Sequence, residues 1–312
     1  MAVYVNTNYS ALQGQRYLGN VQNQLTTTYQ RLSSGLRINS AKDDAAGLQI
    51  ADRLTSQING LNQGNRNASD GIALAQTAEA GMDEISGMLQ KIRTLAVQAN
   101  NGTNTLEDRK ALAKEASSLA TEITRISKQT TFAGKTILNG KQANAFMTAA
   151  QGQEGKTQTL QLQVGSNKGD TISFDLVNLQ FSAIGKGATI TDDAFKAQAG
   201  TAAFVVKNTG EVSVNFSTIG AVENIIGYMD QMIGYVDGQR ADLGAIQNRL
   251  ESSIRNQSNV AANEADARSR IRDADFAEES ANLSQQSIIQ QAAASMLMQA
   301  NTRPQLGLSL LG

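Results

Sequence analysis

The sequence predicts a mainly α fold, in which the N- and C-terminal segments form a long antiparallel helical coiled-coil rod and a small β-rich central region lies at its tip. Apolar or small residues recur at steps of three and four between Leu54 and Ala99, and again between Val222 and Ile254. This repeat of about 3.5 residues is typical of a coiled-coil seam. Because two helical segments bracket a middle with a different period, we expect the ends to meet along a shared rod.

The composition excludes most kinds of catalytic and binding site. The chain has no His and no Cys, which removes imidazole acid–base chemistry, thiol nucleophiles and most zinc sites. A formal net charge of −1 leaves no basic surface for nucleic acid, and no apolar run reaches the roughly 18 residues that membrane insertion requires. We therefore expect no enzyme activity, catalytic residue, metal or cofactor, although carboxylate-only catalysis stays open.

The two ends carry apolar stripes that are too thin to offset the entropy of ordering them. The stripe positions are Leu18, Val21, Leu25 and Leu32 at the N-terminal end, and Ile289, Ala293, Met296 and Ala300 at the C-terminal end. We expect 1–40 with 273–312 to form a terminal helical inner-core domain. Residues 1 to about 35 and 275–312 are expected to be disordered in the monomer and helical once identical copies cover them.

Two helix starts carry capping signals. Ser40 with Asp43, and Thr105 with Asp108, each have the spacing of a capping box, in which a hydroxyl and an acidic side chain satisfy each other's backbone N–H groups. The turn 100–104 separates the first long helix from a second, whose apolar residues run from Leu112 to Ile126. We expect the second helix to fold back antiparallel on the first.

The middle of the chain changes to the alternating period of β-strands. Apolar and polar residues alternate through a predicted hairpin at about 157–177, and a weaker strand pair is predicted at 204–206 and 212–216. We expect 41–178 with 221–272 to form a helical rod domain that carries the hairpin. Residues 179–220 are expected to be a small surface-exposed variable region, and deletion of about 180–215 is expected to leave assembly intact.

A second stripe lies beside the main seam of the first long helix. Met88 and Leu95 are one heptad apart and adjoin the seam positions Leu89, Ile92 and Ala96. The stripe is either a widened core or a second contact face reserved for neighbouring subunits or another protein. On the second interpretation Leu95 is exposed in the monomer and its truncation costs little stability.

Several separated motifs resemble bacterial flagellin. The stretch from Gln30 to Leu48 resembles the family's signature, and Arg66–Ile72, Leu95–Gln98 and Ala300–Leu306 are similar to family motifs in the same order. The resemblance covers about 1–178 and 221–312, and it implies a structural subunit that self-assembles into the flagellar filament for swimming motility. A hook–filament junction protein, which shares the terminal helical pattern, is the alternative.

The resemblance also implies where such a subunit acts and what it meets. It implies a secreted, extracellular protein of the bacterial flagellum, exported without a cleaved signal through the type III apparatus. The implied partners are further copies of the chain, an export chaperone, the filament cap, hook-junction proteins and a host Toll-like receptor.

The family's receptor contact centres on the helix matching Leu89–Leu95. The resemblance therefore makes the following residues candidates for receptor or inter-subunit contacts: Leu89, Gln90, Lys91, Arg93, Leu95, Gln98 and Glu115. Two positions depart from the family pattern, because Lys91 stands in place of Arg and Thr94 in place of Glu. Lys cannot reproduce a bidentate guanidinium contact, so we expect weakened recognition.

Overall fold

The computed structural model describes residues 7–140, 144–145, 158–190, 203–206, 211–217 and 219–309, with side chains described to residue 302. The helices are α1 (Tyr9–Ser34), α2 (Ala45–Ala99), α3 (Leu106–Gln129), α4 (Phe181–Gly187), α5 (Ile219–Arg272) and α6 (Phe276–Ser309). The strands are β1 (Thr131–Phe132), β2 (Lys135–Thr136), β3 (Gln158–Gln163), β4 (Thr171–Leu176), β5 (Phe204–Val206) and β6 (Val212–Val214). The predicted class, mainly α with long antiparallel helices and small β elements, is confirmed.

Backbone contacts divide the chain into two compact units. The terminal unit comprises residues 1–59 and 260–312, and the middle unit comprises residues 60–259. Helices α2 and α5 each contribute one part to each unit. The three-part functional division expected from the sequence stays a prediction.

In the middle unit, α2 and α5 run antiparallel in a constant register. Arg93 of α2 forms an ion pair with Asp230 of α5 at 2.5 Å. One heptad earlier in α2 and one heptad later in α5, the Ser86 hydroxyl donates to Asp237 at 3.4 Å. Farther along, Asn65 donates to Ser258 in the same register. Exposed polar pairs add little stability, but a one-residue slip would break all of them, so they specify the register.

Helix α3 folds back along α2, as predicted. Lys91 Nζ of α2 lies 3.4 Å from Glu115 Oε1 in the first half of α3, and Gly81 of α2 faces Thr130 just beyond the end of α3. The three helices share one core, to which α2 gives Ile85, Leu89 and Ile92, α3 gives Ala116, Ala120 and Ile123, and α5 gives Val222, Met229 and Val236.

The predicted hairpin is confirmed as β3 and β4, paired antiparallel with Leu160 opposite Phe174 and Gln163 opposite Thr171. It lies against α2 at positions occupied by glycine. A Cβ atom on Gly64 would lie 1.9 Å from the Val164 carbonyl oxygen, and one on Gly71 would lie 2.2 Å from Leu162 Cδ1. Glycine costs helix stability, and here the close approach of the hairpin requires it.

The expectation that residues 179–220 form a surface-exposed region is wrong for their described part. Phe181, Phe204 and Phe216 are almost completely buried and belong to the same core as the long helices. The rings of Phe181 and Phe204 pack edge to face with centroids 5.2 Å apart. These aromatic side chains supply bulk that Ala-rich helix seams lack, so the described part of the segment contributes to the core of the middle unit.

The second predicted strand pair is also confirmed, although it ends at Val214, and its connection at 207–210 lies outside the described residues. Strands β5 and β6 pair antiparallel with Phe204 opposite Val214. The backbone N–H groups of Val212 and Val214 donate to the hydroxyls of Thr121 and Ser117 on α3, at 3.3 and 2.9 Å. These two hydroxyls lie one turn apart on one helix face. They accept hydrogen bonds from the edge of β6, which would otherwise be open to pairing with another strand.

In the terminal unit, the two connectors between helices pair with each other. Gly35 ends α1 in the left-handed conformation, with φ at 70°, which favours glycine. Its carbonyl then accepts from the Ala274 N–H at 3.0 Å, and the Arg37 N–H donates to the Arg272 carbonyl at 2.7 Å. Ile38 is buried beside this pairing, so the α1–α2 and α5–α6 connectors are held together.

Candidate interaction surfaces

The capping box at Thr105 and Asp108 is confirmed. The Asp108 N–H donates to the Thr105 hydroxyl at 3.2 Å, and the Thr105 N–H donates to the Asp108 carboxylate at 3.0 Å. Hydrogen bonds from the Thr105 hydroxyl and then from its backbone N–H lower the pKa of Asp108. A lowered pKa means that the box contributes fully above the ordinary Asp range and is lost as the pH falls through the lowered value.

The predicted helix start at Ser40 is wrong, because α2 begins later and a different acid caps it. The Asp43 carboxylate accepts from the backbone N–H groups of Ser40 and Asn39, which lowers its pKa and closes a turn ahead of the helix. Asp44 is the cap: its carboxylate accepts from the Gly47 N–H at 2.8 Å, and its carbonyl accepts from the Leu48 N–H at 3.0 Å. Asp43 thus stabilises the turn before α2, whereas Asp44 caps the helix itself.

The expectation that Leu95 is exposed in the monomer is also wrong. Leu95 is only 7% exposed and belongs to the main core, and Leu89 is fully buried. Because α2 is covered by both α3 and α5, positions beside the narrow seam also face a helix. Met88 is partly buried against the same core, which agrees with the widened-core interpretation of this stripe.

The remaining candidates lie at the surface of α2 and α3. Gln90, Lys91, Gln98 and Glu115 are exposed, and Arg93 is partly exposed. Lys91 is paired with Glu115 and Arg93 with Asp230. The structure thus places these candidates on different sides of α2: Lys91 pairs with α3 and Arg93 pairs with α5. Leu89 and Leu95 lie in the core beneath.

Truncating Leu95 tests its assignment to the core. We expect Leu95→Ala to lower the free energy of unfolding of the middle unit by about 2–5 kcal/mol, because a buried Leu leaves a cavity. Val97→Ala is the matched control: Val97 is 50% exposed on the same helix, so its loss should stay within about 0.5 kcal/mol. Chemical denaturation followed by circular dichroism measures both, and equal small losses would show that Leu95 is not core.

The largest concentration of exposed apolar side chains is in the terminal unit. They are Tyr9, Leu12, Tyr17, Tyr29, Ile50, Val260, Phe276, Ile288, Ile289, Met296 and Met298. Among the described side chains of α1, only Val21, Leu25 and Thr28 are buried. Among those described for α6, only Glu279 is buried. Exposed apolar surface of this kind marks an interaction site.

Polar contacts join α1 to α6. Arg31 forms an ion pair with Glu279 at 2.9 Å, the Thr28 hydroxyl donates to Gln286 at 3.1 Å, and the Asn8 amide donates to the Ala300 carbonyl at 2.7 Å. Between the two helices lies a cavity of about 670 Å³, lined by Gly14, Tyr17, Ile289, Ala293 and Met296 among others. The helices are therefore antiparallel, but they leave much of their apolar surface uncovered by each other.

No group of three or more acidic side chains that could hold a metal ion occurs in the described part of the chain. Within that same part, no helix is both long enough and apolar enough to cross a membrane.

Comparison with known proteins identifies the relatives of this chain. Residues 5–143 match the family model of the bacterial flagellin N-terminal helical region, and residues 226–311 match that of the C-terminal helical region. Polar flagellin C of Vibrio parahaemolyticus is 35% identical over a 384-residue alignment, and Flagellin A of Vibrio cholerae is 37% identical over 378 residues. Both alignments cover 100% of this chain and 100% of the relative.

A solved structure shares the fold at low sequence identity. It is provisionally described as a flagellar hook-associated protein from Vibrio parahaemolyticus, and it matches with a TM-score of 0.54 and 16% identity over 74% of this chain and 100% of its own. Identity at this level supports the fold alone.

Proposed function

Because the chain belongs to the bacterial flagellin family and is a subunit of the flagellar filament, we propose that its terminal unit supplies the contacts that join one subunit to the next. The observation that carries this proposal is the set of exposed apolar side chains on α1 and α6. Identical copies are the simplest partners, since each brings the same apolar surface. The hook–filament junction alternative is not favoured, because full-length flagellins are the chain's sequence relatives.

The same surface predicts an order–disorder transition. Two helices that bury so few side chains gain little from packing, and helical propensity alone stabilises an isolated segment only marginally. We propose that residues 7–35 and 275–309 are largely unfolded in the free subunit and become helical as neighbouring copies cover them. The ordering entropy is then offset only within a polymer.

Limited proteolysis tests this transition. Brief digestion of the monomer should remove both ends and leave the middle unit intact, because a protease cleaves unfolded chain faster than packed helices. The same digestion of a sedimented polymer should leave the ends in place. Monomer ends that resist cleavage as well as the middle unit would contradict the proposal.

We further propose that the protein works as a structural element and not as an enzyme, and that it leaves the cell without a cleaved signal. The membership in a structural family and the absence of His and Cys support the first part. The family resemblance supports export through the flagellar apparatus to an extracellular location. It likewise supports an export chaperone, the filament cap and hook-junction proteins as partners.

A host Toll-like receptor is proposed as a partner of the exposed side of α2 and the adjoining part of α3. The proposed contact residues are Gln90, Lys91, Arg93, Gln98 and Glu115. The buried Leu89 and Leu95 would act only by holding the helix in place. Lys91 offers a point charge, whereas Arg would offer two parallel hydrogen bonds to a carboxylate.

Replacing Lys91 tests this partner. We expect Lys91→Arg to lower the concentration needed for half-maximal receptor signalling by about tenfold, the equivalent of roughly 1.4 kcal/mol. Lys110→Arg, on the exposed surface of α3, is the control and should change nothing. Unchanged signalling by both variants would remove Lys91 from the proposed contact.

A further inference from the structure

Methionine is the only sulfur-containing residue type in this chain. Of the six described methionines, Met88 is partly buried, and the other five are either fully buried or strongly exposed. The sequence has 8 Met and no Cys. Met82, Met229 and Met232 are at most 1% exposed in the core of the middle unit, whereas Met296 and Met298 on α6 are 68% and 66% exposed. Oxidation of a thioether requires access to the sulfur, so these two groups must differ in reactivity.

The two exposed methionines flank the contact between α6 and α1. Leu297 lies against α1, where a Cβ atom on Gly14 would be 3.1 Å from Leu297 Cδ1. Successive helical residues are separated by about 100°, so Met296 and Met298 lie on opposite sides of this contact. Met296 also lines the cavity between the helices, together with Tyr17, Ile289 and Ala293.

We propose that Met296 and Met298 are an oxidant-sensitive modification site that controls whether a free subunit can join the polymer. The proposed oxidant is a peroxide, such as hydrogen peroxide. The thioether sulfur attacks one peroxide oxygen, and the O–O bond breaks with hydroxide as the leaving group. The hydroxide takes the proton from the sulfur-bound oxygen and becomes water. Sulfur is oxidised to the sulfoxide while the peroxide is reduced.

The sulfoxide changes the surface that assembly uses. It replaces a pliable apolar group with a polar, chiral one, which disrupts interfaces that contain Met. Because the two residues lie on either side of Leu297, oxidation alters both exposed faces of α6 at this level. This inference rests on the proposed role of the terminal unit in joining subunits.

Peroxide treatment of the full-length monomer, followed by peptide mass spectrometry, tests the chemistry. Met296 and Met298 should form sulfoxide at least about tenfold faster than Met82, Met229 and Met232, which serve as internal controls. Assembly before treatment should slow oxidation of the two exposed residues and leave the others unchanged. Equal rates at all five residues in the monomer would overturn the proposal.

Sedimentation of a partly oxidised pool tests the consequence for assembly. Subunits with sulfoxide at Met296 or Met298 should be enriched in the supernatant and depleted from the pellet. Met296→Leu/Met298→Leu, a change that nearly conserves volume, should assemble equally well before and after peroxide. Equal sulfoxide content in pellet and supernatant overturns the inference whether or not that variant assembles.

The outcomes separate the two proposals. Failure of untreated, intact protein to polymerise counts against the role of the terminal unit. Normal polymerisation that oxidation leaves unchanged counts against the methionine site alone. Restoration of assembly by enzymatic reduction of the sulfoxides would show that the control is reversible.

Discussion

Phe204→Ala is expected to lower the free energy of unfolding of the middle unit by about 3–5 kcal/mol, because a fully buried aromatic side chain leaves a large cavity. Phe204 is completely buried in the main core and also packs near Tyr228 of α5, with ring centroids 6.1 Å apart. The sequence alone indicates that residues 179–220 are dispensable. The burial of Phe181, Phe204 and Phe216 now predicts that loss of this segment weakens the whole middle unit.

Phe276→Ala is the matched control, since Phe276 on α6 is 59% exposed and its truncation should cost no more than about 0.5 kcal/mol. Urea denaturation of both variants, followed by helical circular dichroism, gives the two free energies. A loss for Phe204→Ala as small as that of the control would restore the interpretation of 179–220 as a surface region.

Gly64→Ala is expected to destabilise the middle unit by about 1–3 kcal/mol, the usual cost of overpacking. The new methyl carbon would lie 1.9 Å from the Val164 carbonyl oxygen and 2.7 Å from its carbonyl carbon. These are backbone atoms, so relief requires a shift of the hairpin and not a change of rotamer.

Gly87→Ala separates this steric effect from helix propensity. Gly87 lies in the same helix, but nothing lies within 4 Å of the position of its added Cβ. Alanine there should raise stability by roughly 0.5–1 kcal/mol, the propensity gain of Ala over Gly. Thermal melts of the two variants should therefore move in opposite directions, and a stabilising Gly64→Ala would show that the hairpin does not approach α2 so closely.

The long helices and the hairpin could be predicted from sequence because regular periods encode them. Steps of three and four identify α2 and α5, and alternation identifies β3 and β4. The capping box at Thr105 could be predicted for the same reason, since it depends on residues three apart.

The errors have a common physical origin: they concern contacts that a local period does not encode. The apolar residues around Phe181 and Phe204 have no regular spacing, so nothing local shows that they enter the core. Leu95 is covered because a third helix lies over its side of α2. Ser40 and Asp43 have the spacing of a capping box, but only the backbone path shows that the helix begins after Asp44.

The capacity of the terminal unit to join subunits is tested most directly by sedimentation of trimmed protein. Limited digestion should yield a core that lacks α1 and α6. This core should unfold at the same temperature as the middle unit of the intact chain. Added to polymer seeds beside intact protein, this core should stay in the supernatant at every concentration at which the intact chain enters the pellet. Trimmed protein that sediments with the seeds as efficiently as the intact chain would show that the contacts between subunits lie elsewhere.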